Sequence, residues 1–433
     1  MDNLTLGLIA IALLIIISFL GIPLAISMAT IGLLGSLYIA GTSVTFNFLG
    51  LYIHTNIANY ILSAVPLFLL MGQIVMQAEV GSELFTTANK WFGRLPAGLC
   101  VVTIISCAVF AACCGSSQAT AATLGVISIP EMKKHGYNSK IVAGSVAAGG
   151  TLGILIPPSL IFILYGIFAE QSIGKLFIAG ILPGIILSLL YILTVVIWAS
   201  LFRKTAPPST EIFSWKEKIY SLPGITGALL LFILVLGGIY GGFFTPTEAA
   251  AIGCFGAFII MIAKRKLTKA KIFMSIMETA RTTGMLYLMI LGALFFQFFI
   301  AQTQLPTLLV EVLQSANIGP LGVLAIILFV FIILGFVLEV VSLVILLVPI
   351  IVPLLQAVGF DPIWFGVLIV IVVEMGFITP PVGMNLFVLK SIAPDIRTSD
   401  IYAGVFPFVI AQLICLIILI LWPQISLFLP SLM

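Results

Sequence analysis

The chain has 433 residues, 62% of them apolar and only 8% charged, where a soluble domain carries roughly 25% charged residues. That excludes a water-soluble enzyme and a nucleic-acid binder, and the net charge of +3 names no partner by itself. Apolar runs near the ~20 residues that cross a bilayer recur from end to end, without the alternation of barrel strands, so the chain reads as an all-α polytopic membrane protein.

In chain order, spans are predicted at Leu4–Leu20, Pro23–Ile39, Leu62–Met76, Ser139–Phe168 and Leu176–Phe202. Five more follow at Gly224–Tyr240, Thr247–Ala263, Thr282–Ala301, Ile363–Leu389 and Tyr402–Leu429. Two apolar stretches fit no single crossing. Ala97–Pro130 has 34 residues without a charge, and Leu321–Gln356 behaves the same way, with Glu339 as its one charge. Each carries a break near its middle, at Gly115–Thr120 and Gly335–Ser342, and each is predicted to be a re-entrant hairpin that returns to the side it entered from. Thr45–Asn59 and Leu267–Thr279 mix apolar with polar residues and read as interfacial amphipathic arms.

The basic residues agree with this layout, because cytoplasmic loops collect Lys and Arg. With Arg203, Lys204, Lys216 and Lys218 inside, the cluster Lys264, Arg265, Lys266, Lys269 and Lys271 returns inside two spans later. With Ala97–Pro130 as a hairpin, Lys90 and Arg94 share that side with Lys133, Lys134 and Lys140. Of 18 basic residues only Lys175 falls outside. Both termini are then expected outside, on the periplasmic face.

An internal repeat runs through the chain. Pro23 matches Pro246, Pro130 matches Pro353, and Gly136-Tyr137 matches Gly359-Phe360, each pair 223 residues apart. GILIPP at Gly153–Pro158 matches GFITPP at Gly376–Pro381 at the same offset, and AGILP at Ala179–Pro183 matches AGVFP at Ala403–Pro407 one residue later. Five spans separate the two hairpins, an odd number, so the copies are expected in opposite orientation. Inverted repeats with broken helices are the signature of secondary transporters. The expected division is a scaffold part with its arm over 1–61 and a helix, hairpin and broken helix over 62–202, moving from about 97. A cytoplasmic linker covers 203–222, a second scaffold part 223–301, and a second hairpin, broken helix and last span 302–433.

The Pro-Pro breaks are the sharpest local feature. A proline pair removes backbone donors and turns the preceding residue away from helical geometry. Freed carbonyls over Gly153–Ile156 and Gly376–Thr379 are costly in lipid unless something binds them, and a sodium ion suits them. The tip Gly115-Ser116-Ser117-Gln118 opens a half-helix whose amides favour an anion, while its hydroxyls favour a cation. No Lys or Arg lies near either break, so a carboxylate would be held by dipoles, amides, Ser159, Thr379 and Asn385, with Thr151 and Gly383 flanking. Glu339 and Glu374 are acids at membrane depth, where a carboxylate is expensive; an ion or proton role and a structural role both stand open for them. Cys100, Cys107, Cys113, Cys114, Cys254 and Cys415 form no CxxC pair and read as apolar packing. With no GxxxxGK[ST], HExxH or GxSxG, neither an ATPase nor a hydrolase is expected.

These segments resemble the large membrane subunit of the tripartite ATP-independent periplasmic (TRAP) transporters. The resemblance lies in VPLFLLMGQIV (Val65–Val75), GRLPAGL (Gly93–Leu99), GSSQATAATLG (Gly115–Gly125) and LGILIPPSLIFILYG (Leu152–Gly166). In the second half it lies in PIIVPLLQAVGFDP (Pro349–Pro362) and EMGFITPPVGMNLFV (Glu374–Val388), so nearly the whole chain is covered. It implies an elevator-type carrier of the bacterial inner membrane, coupled to sodium and free of other cofactors. It also implies two partners: a soluble periplasmic binding protein that delivers an organic acid, and a small membrane subunit of about four helices, expected to be a separate chain. Carried over by motif, the sodium sites are Gly115, Ser116 and Ser117 with Gly153, Ile156 and Pro157, and Glu339 and Ser342 with Gly376, Thr379 and Pro380. Implied substrate contacts are Ser116, Ser117, Gln118, Thr151, Ser159, Thr379, Gly383 and Asn385. Family members often carry an Asp soon after the tip serines, where this chain has Gln118-Ala119-Thr120; sialic acid and C4-dicarboxylates are both expected substrates, the former slightly favoured. A stand-alone or proton-coupled carrier is the alternative, and a membrane-embedded enzyme or scaffold a remote one.

Overall fold

In a bilayer the backbone must satisfy its own hydrogen bonds, and this chain does so with helices. The computed structural model describes all residues except 1–2, 203, 208–210, 306–307, 309–310, 312–317, 337 and 381–382, with the side chains of 3, 18, 19 and 56 also left aside. No strand occurs among the described residues. The first half contains α1 (Asn3–Phe19), α2 (Leu24–Ile57), α3 (Ala64–Gln77), α4 (Val80–Phe92), α5 (Gly98–Cys114), α6 (Ser117–Lys134), α7 (Ser139–Leu155), α8 (Leu160–Phe168) and α9 (Ile173–Leu201). The short α10 (Trp215–Ser221) leads into the second half. There follow α11 (Pro223–Tyr240), α12 (Pro246–Ala263), α13 (Lys269–Gln302), α14 (Pro320–Gly335), α15 (Val340–Ala357), α16 (Pro362–Ile378), α17 (Met384–Ile392) and α18 (Thr398–Leu421).

Among the described residues, eight helices are long and apolar enough to cross a membrane, and the pair α7–α8, bent by 42°, makes a ninth. Nine of the ten expected spans fall on a helix or on the bent pair α7–α8, and Ile363–Leu389 takes in α16 and α17, with 381–382 between them outside the described residues. The expected hairpins are α5–α6 and α14–α15, each a pair of helices packed together across a short turn. The second arm differs from expectation in one respect: it continues the adjoining span. Nothing between Thr279 and Thr282 breaks a helix, so α13 runs unbroken for 34 residues from its Thr268 cap. In α2, also 34 residues long, the one break is Gly41, whose φ of 76° and ψ of 174° suit glycine alone. The amphipathic α4 was not foreseen. It buries Leu84, Phe85 and Ala88 and is tied to the start of α13 by charge: Lys266 and Lys271 reach Glu79 at 2.6 and 2.9 Å and hold its carboxyl down at about 2. Lys264 pairs with Glu83 beside them.

The repeat is visible in the helix bounds. α6 and α15 are both 18 residues long, and α7 and α16 both 17, each pair offset by 223 (340 − 117, 362 − 139). α8 and α17 are both nine residues long, at an offset of 224 (384 − 160). The broken helices are the most enclosed elements: every residue of Ile141–Leu155 and of Trp364–Ile378 is buried. Close approach around them depends on small residues. A Cβ on Gly404 of α18 would stand 2.2 Å from Lys140 O of α7, and one on Gly144 2.2 Å from Gly404 O. A second close crossing joins α2 to α13, where a Cβ on Gly292 would meet Ala25 O at 2.2 Å. The first crossing lies near the start of α7, at the end away from its break, and the second between the two 34-residue helices.

With α5–α6 as a hairpin that returns to the same side, single cysteines replacing Lys90 and Lys134 are both modified by a membrane-impermeant maleimide only from the cytoplasmic face. Labelling of the two from opposite faces would contradict this arrangement.

Candidate functional site

At the first hairpin the turn consists of Gly115 and Ser116 alone. Gly115 is left-handed (φ 63°), and a Cβ there would stand 2.7 Å from Pro158 O. Only glycine lets the tip press on the break. Ser116 caps α6, its hydroxyl accepting from the Ala119 amide at 3.4 Å. Opposite the tip, Pro157 and Pro158 end α7, so the Gly153 and Ile154 carbonyls find no amide four residues on. Gly153 lies under the tip: a Cβ on it would come 2.6 Å from Ser116 O. Ile156 closes α7 in extended geometry, and Ser159, buried with an unpartnered hydroxyl, starts α8.

The second hairpin and break repeat this design. Glu339 caps α15 at the position equivalent to Ser116. Thr379 ends α16 in extended geometry before Pro380, and Pro381 lies outside the described residues. A Cβ on Gly376, the counterpart of Gly153, would stand 2.7 Å from Gly335 O at the end of α14. The Glu339 carboxylate lies by the amides of Val341 and Ser342, while its Oε2 is buried without a partner among the described residues. Thr379 donates its hydroxyl proton to Met375 O at 2.6 Å, which leaves its oxygen lone pairs open. Ser342 is buried with its hydroxyl 3.6 Å from Met289 Sδ, and Gly383 opens α17 in the left-handed region (φ 44°).

The two halves meet in one cavity of about 120 Å³. The first tip contributes Gly115, Ser116, Ser117 and Gln118, the second Glu339, Val340 and Val341, and the ends of the broken helices Ile154 and Phe377. Leu69 of α3 and Thr282, Met285 and Leu286 of α13 close it from the front. A second cavity of about 120 Å³ lies between the second tip and its break, lined by Gly335, Glu339, Gly376 and Gly383 among others. Glu339 is the only charged residue in either lining. The first tip is tied to the far repeat by Asn385, whose Nδ2 donates to Ser117 Oγ at 2.8 Å and to Ala147 O at 3.1 Å.

The geometry therefore brings together Gly115, Ser116, Ser117, Gln118 and Gly153 on one side and Glu339, Gly376, Thr379, Pro380 and Gly383 on the other. Ser342 lies one turn into α15. Asn385 is buried and reaches the site through Ser117. Thr151 points elsewhere, its hydroxyl engaged with Ala148 O and Tyr191. The front residues Leu69, Thr282, Met285 and Leu286 are absent from the sequence-based set. Thr282, a polar residue at the start of an apolar run, was the available signal.

Residues 11–425 match the family model described as the tripartite ATP-independent periplasmic transporter, DctM component. The chain belongs to that family. It is 35% identical over 374 residues to the C4-dicarboxylate TRAP transporter large permease protein DctM of Pseudomonas aeruginosa, covering 86% of this chain and 87% of that one. It is 32% identical to the sialic acid TRAP transporter large permease protein SiaM of Vibrio cholerae, over 96% of each. The ectoine permease TeaC of Halomonas elongata is 31% identical over 98% of this chain and 99% of its own. In fold it is similar to the YdaH transporter of Alcanivorax borkumensis, with a TM-score of 0.60 and 13% identity over 90% of this chain and 89% of that one. A TRAP large permease with several membrane-spanning helices is an inner-membrane protein.

Asn385→Ala removes a fully buried tie and leaves Ser117 Oγ and Ala147 O with one partner fewer. It is expected to lower unfolding stability by about 1–3 kcal/mol, read as a drop in thermal midpoint. Ser117→Ala should lower it less, because Asn385 keeps its bond to Ala147 O.

Proposed function

We propose that this permease carries an organic acid, of the sialic acid or C4-dicarboxylate type, into the cell together with sodium ions by an elevator movement. The observation that supports this best is the single cavity into which both hairpin tips and both ends of the broken helices open, with no basic side chain in its lining. Two half-helices, α6 and α15, begin there, and their free amides attract negative charge. Glu339 stands at the second start and repels an anion, whereas the first carries only Ser116, Ser117 and Gln118. The substrate carboxylate therefore belongs at the first tip. One sodium ion sits between that tip and Gly153, Ile156 and Pro157. Another sits between Glu339 and Ser342 and the second break, at Gly376, Thr379 and Pro380. At about 120 Å³ the cavity is well below the roughly 300 Å³ of a small-molecule pocket, so loading requires the front and back parts to separate. That requirement supports a moving back part (hairpins, broken helices and last spans) within a fixed frame built on the α2–α13 crossing. The partners are a periplasmic binding protein that delivers the acid and a small four-helix membrane subunit that widens the frame. Both termini face the periplasm.

Deleting the break hydroxyl (Thr379→Val) is expected to raise the sodium concentration for half-maximal uptake about fivefold, the equivalent of ~1 kcal/mol per lost oxygen ligand, and deleting both tip hydroxyls (Ser116→Ala with Ser117→Ala) about 25-fold. Protein yield in the membrane should persist. Uptake into proteoliposomes reads both, and an unchanged sodium dependence in the two variants would make the breaks simple kinks. The same assay with this chain alone is expected to give no uptake, and full-rate uptake without partners would favour a stand-alone carrier.

A further inference from the structure

Away from the cavity, a second polar cluster is sealed inside the back part. Thr151 of α7, Tyr191 of α9, Glu374 of α16 and Gln412 of α18 are all 0% exposed. The Thr151 hydroxyl gives its proton to Ala148 O at 2.7 Å, so in the 3.0 Å contact with Tyr191 the tyrosine is the donor. Gln412 lies beside that hydroxyl, and Glu374 lies near it, near Cys415, and alongside the backbone of Ile154 and Leu155. Both carboxylate oxygens of Glu374 and both polar atoms of the Gln412 amide lack a hydrogen-bond partner among the described residues. No basic residue answers the carboxylate: α16 and α18 contain none, and Lys140 and Lys175 sit at exposed helix ends.

The location is set by the repeat. At the offset of 223 that relates the two breaks, Thr151 is the counterpart of Glu374, and at the later offset of 224 Tyr191 is the counterpart of Cys415. Residues exchanged by a twofold relation come together only near its axis. The cluster therefore marks the pseudo-twofold axis of the back part, with the two breaks on either side of it.

We propose that Glu374, Gln412 and Tyr191 form a third, internal cation site, for an alkali cation of the sodium class. An uncompensated buried carboxylate costs several kcal/mol, and a bound water would leave its charge in place. One carboxylate with neutral amide and phenol oxygens balances a single positive charge. Such hard oxygen donors select an alkali or alkaline-earth ion over a transition metal, and no group of three His, Cys, Asp or Glu side chains occurs among the described residues. A cation there would join α7 to α16 just before each breaks, so the two outer ion sites would be shaped together. This rests on the sodium-coupled reading above.

The test counts radioactive sodium bound by the purified transporter complex in nanodiscs. Counted near the parent's half-saturating sodium concentration, Glu374→Gln is expected to lose the sodium held at the internal site, Thr379→Val to bind less at a different site through its roughly fivefold weaker affinity, and the double variant to show both losses. If Glu374→Gln does not fold, Gln412→Leu is scored by the same count, with the same loss expected. A full sodium count in Glu374→Gln, or in Gln412→Leu where that is the variant scored, beside a reduced count in Thr379→Val overturns the internal site alone. A parent that binds no sodium overturns this site and the sodium-coupled reading together.

Discussion

Four prolines decide this structure, because each strips a carbonyl in a buried helix of its donor. Pro157 and Pro158 free the carbonyls of Gly153 and Ile154, and Pro380 and Pro381 those of Gly376 and Phe377. Such groups cost a few kcal/mol each when left bare in an apolar medium, so something polar must come to them. In each repeat a hairpin tip packs against the break, and glycine is what lets it come close: Gly115 and Gly153 in one half, Gly376 in the other. The hairpins, the enclosed position of α7 and α16, and the cavity between the tips all follow from that need.

The same constraint shapes how the helices pack. The elements that serve the breaks pack on one another through Gly144 and Gly404, and Asn385 ties the tip of one repeat to the helix after the break of the other. The front spans cross each other through Gly292 and supply only a few side chains to the cavity wall. A site whose charge is carried by backbone dipoles, hydroxyls and one glutamate can release what it binds, where an arginine clamp would hold a carboxylate tightly.

Much of this was legible in the sequence, for physical reasons. Apolar runs mark spans because lipid tolerates nothing else, the Lys and Arg distribution marks the hairpins, and the proline pairs with their 223-residue spacing mark the breaks. What stayed hidden depends on three-dimensional proximity. The fusion of arm and span in α13 could not be seen because a change in polarity from Thr279 to Thr282 does not break a helix. Thr151 was grouped with the substrate contacts for its nearness in sequence to the break, yet helical rotation turns it toward Tyr191. Asn385 was read as a substrate contact, and its bond to Ser117 crosses 268 positions of chain, which no pattern announces.

The central claim is that the hairpins and broken helices move as one body past the front spans. Gln118 at the first tip and Met285 of α13 line the same cavity from opposite sides of that division. A disulfide between cysteines at these two positions, in a background without the six native cysteines and reconstituted with both partners, tests it directly. The account predicts that the cross-link stops uptake, that reduction restores it, and that sodium binding persists throughout. Undiminished uptake by fully cross-linked protein would contradict it.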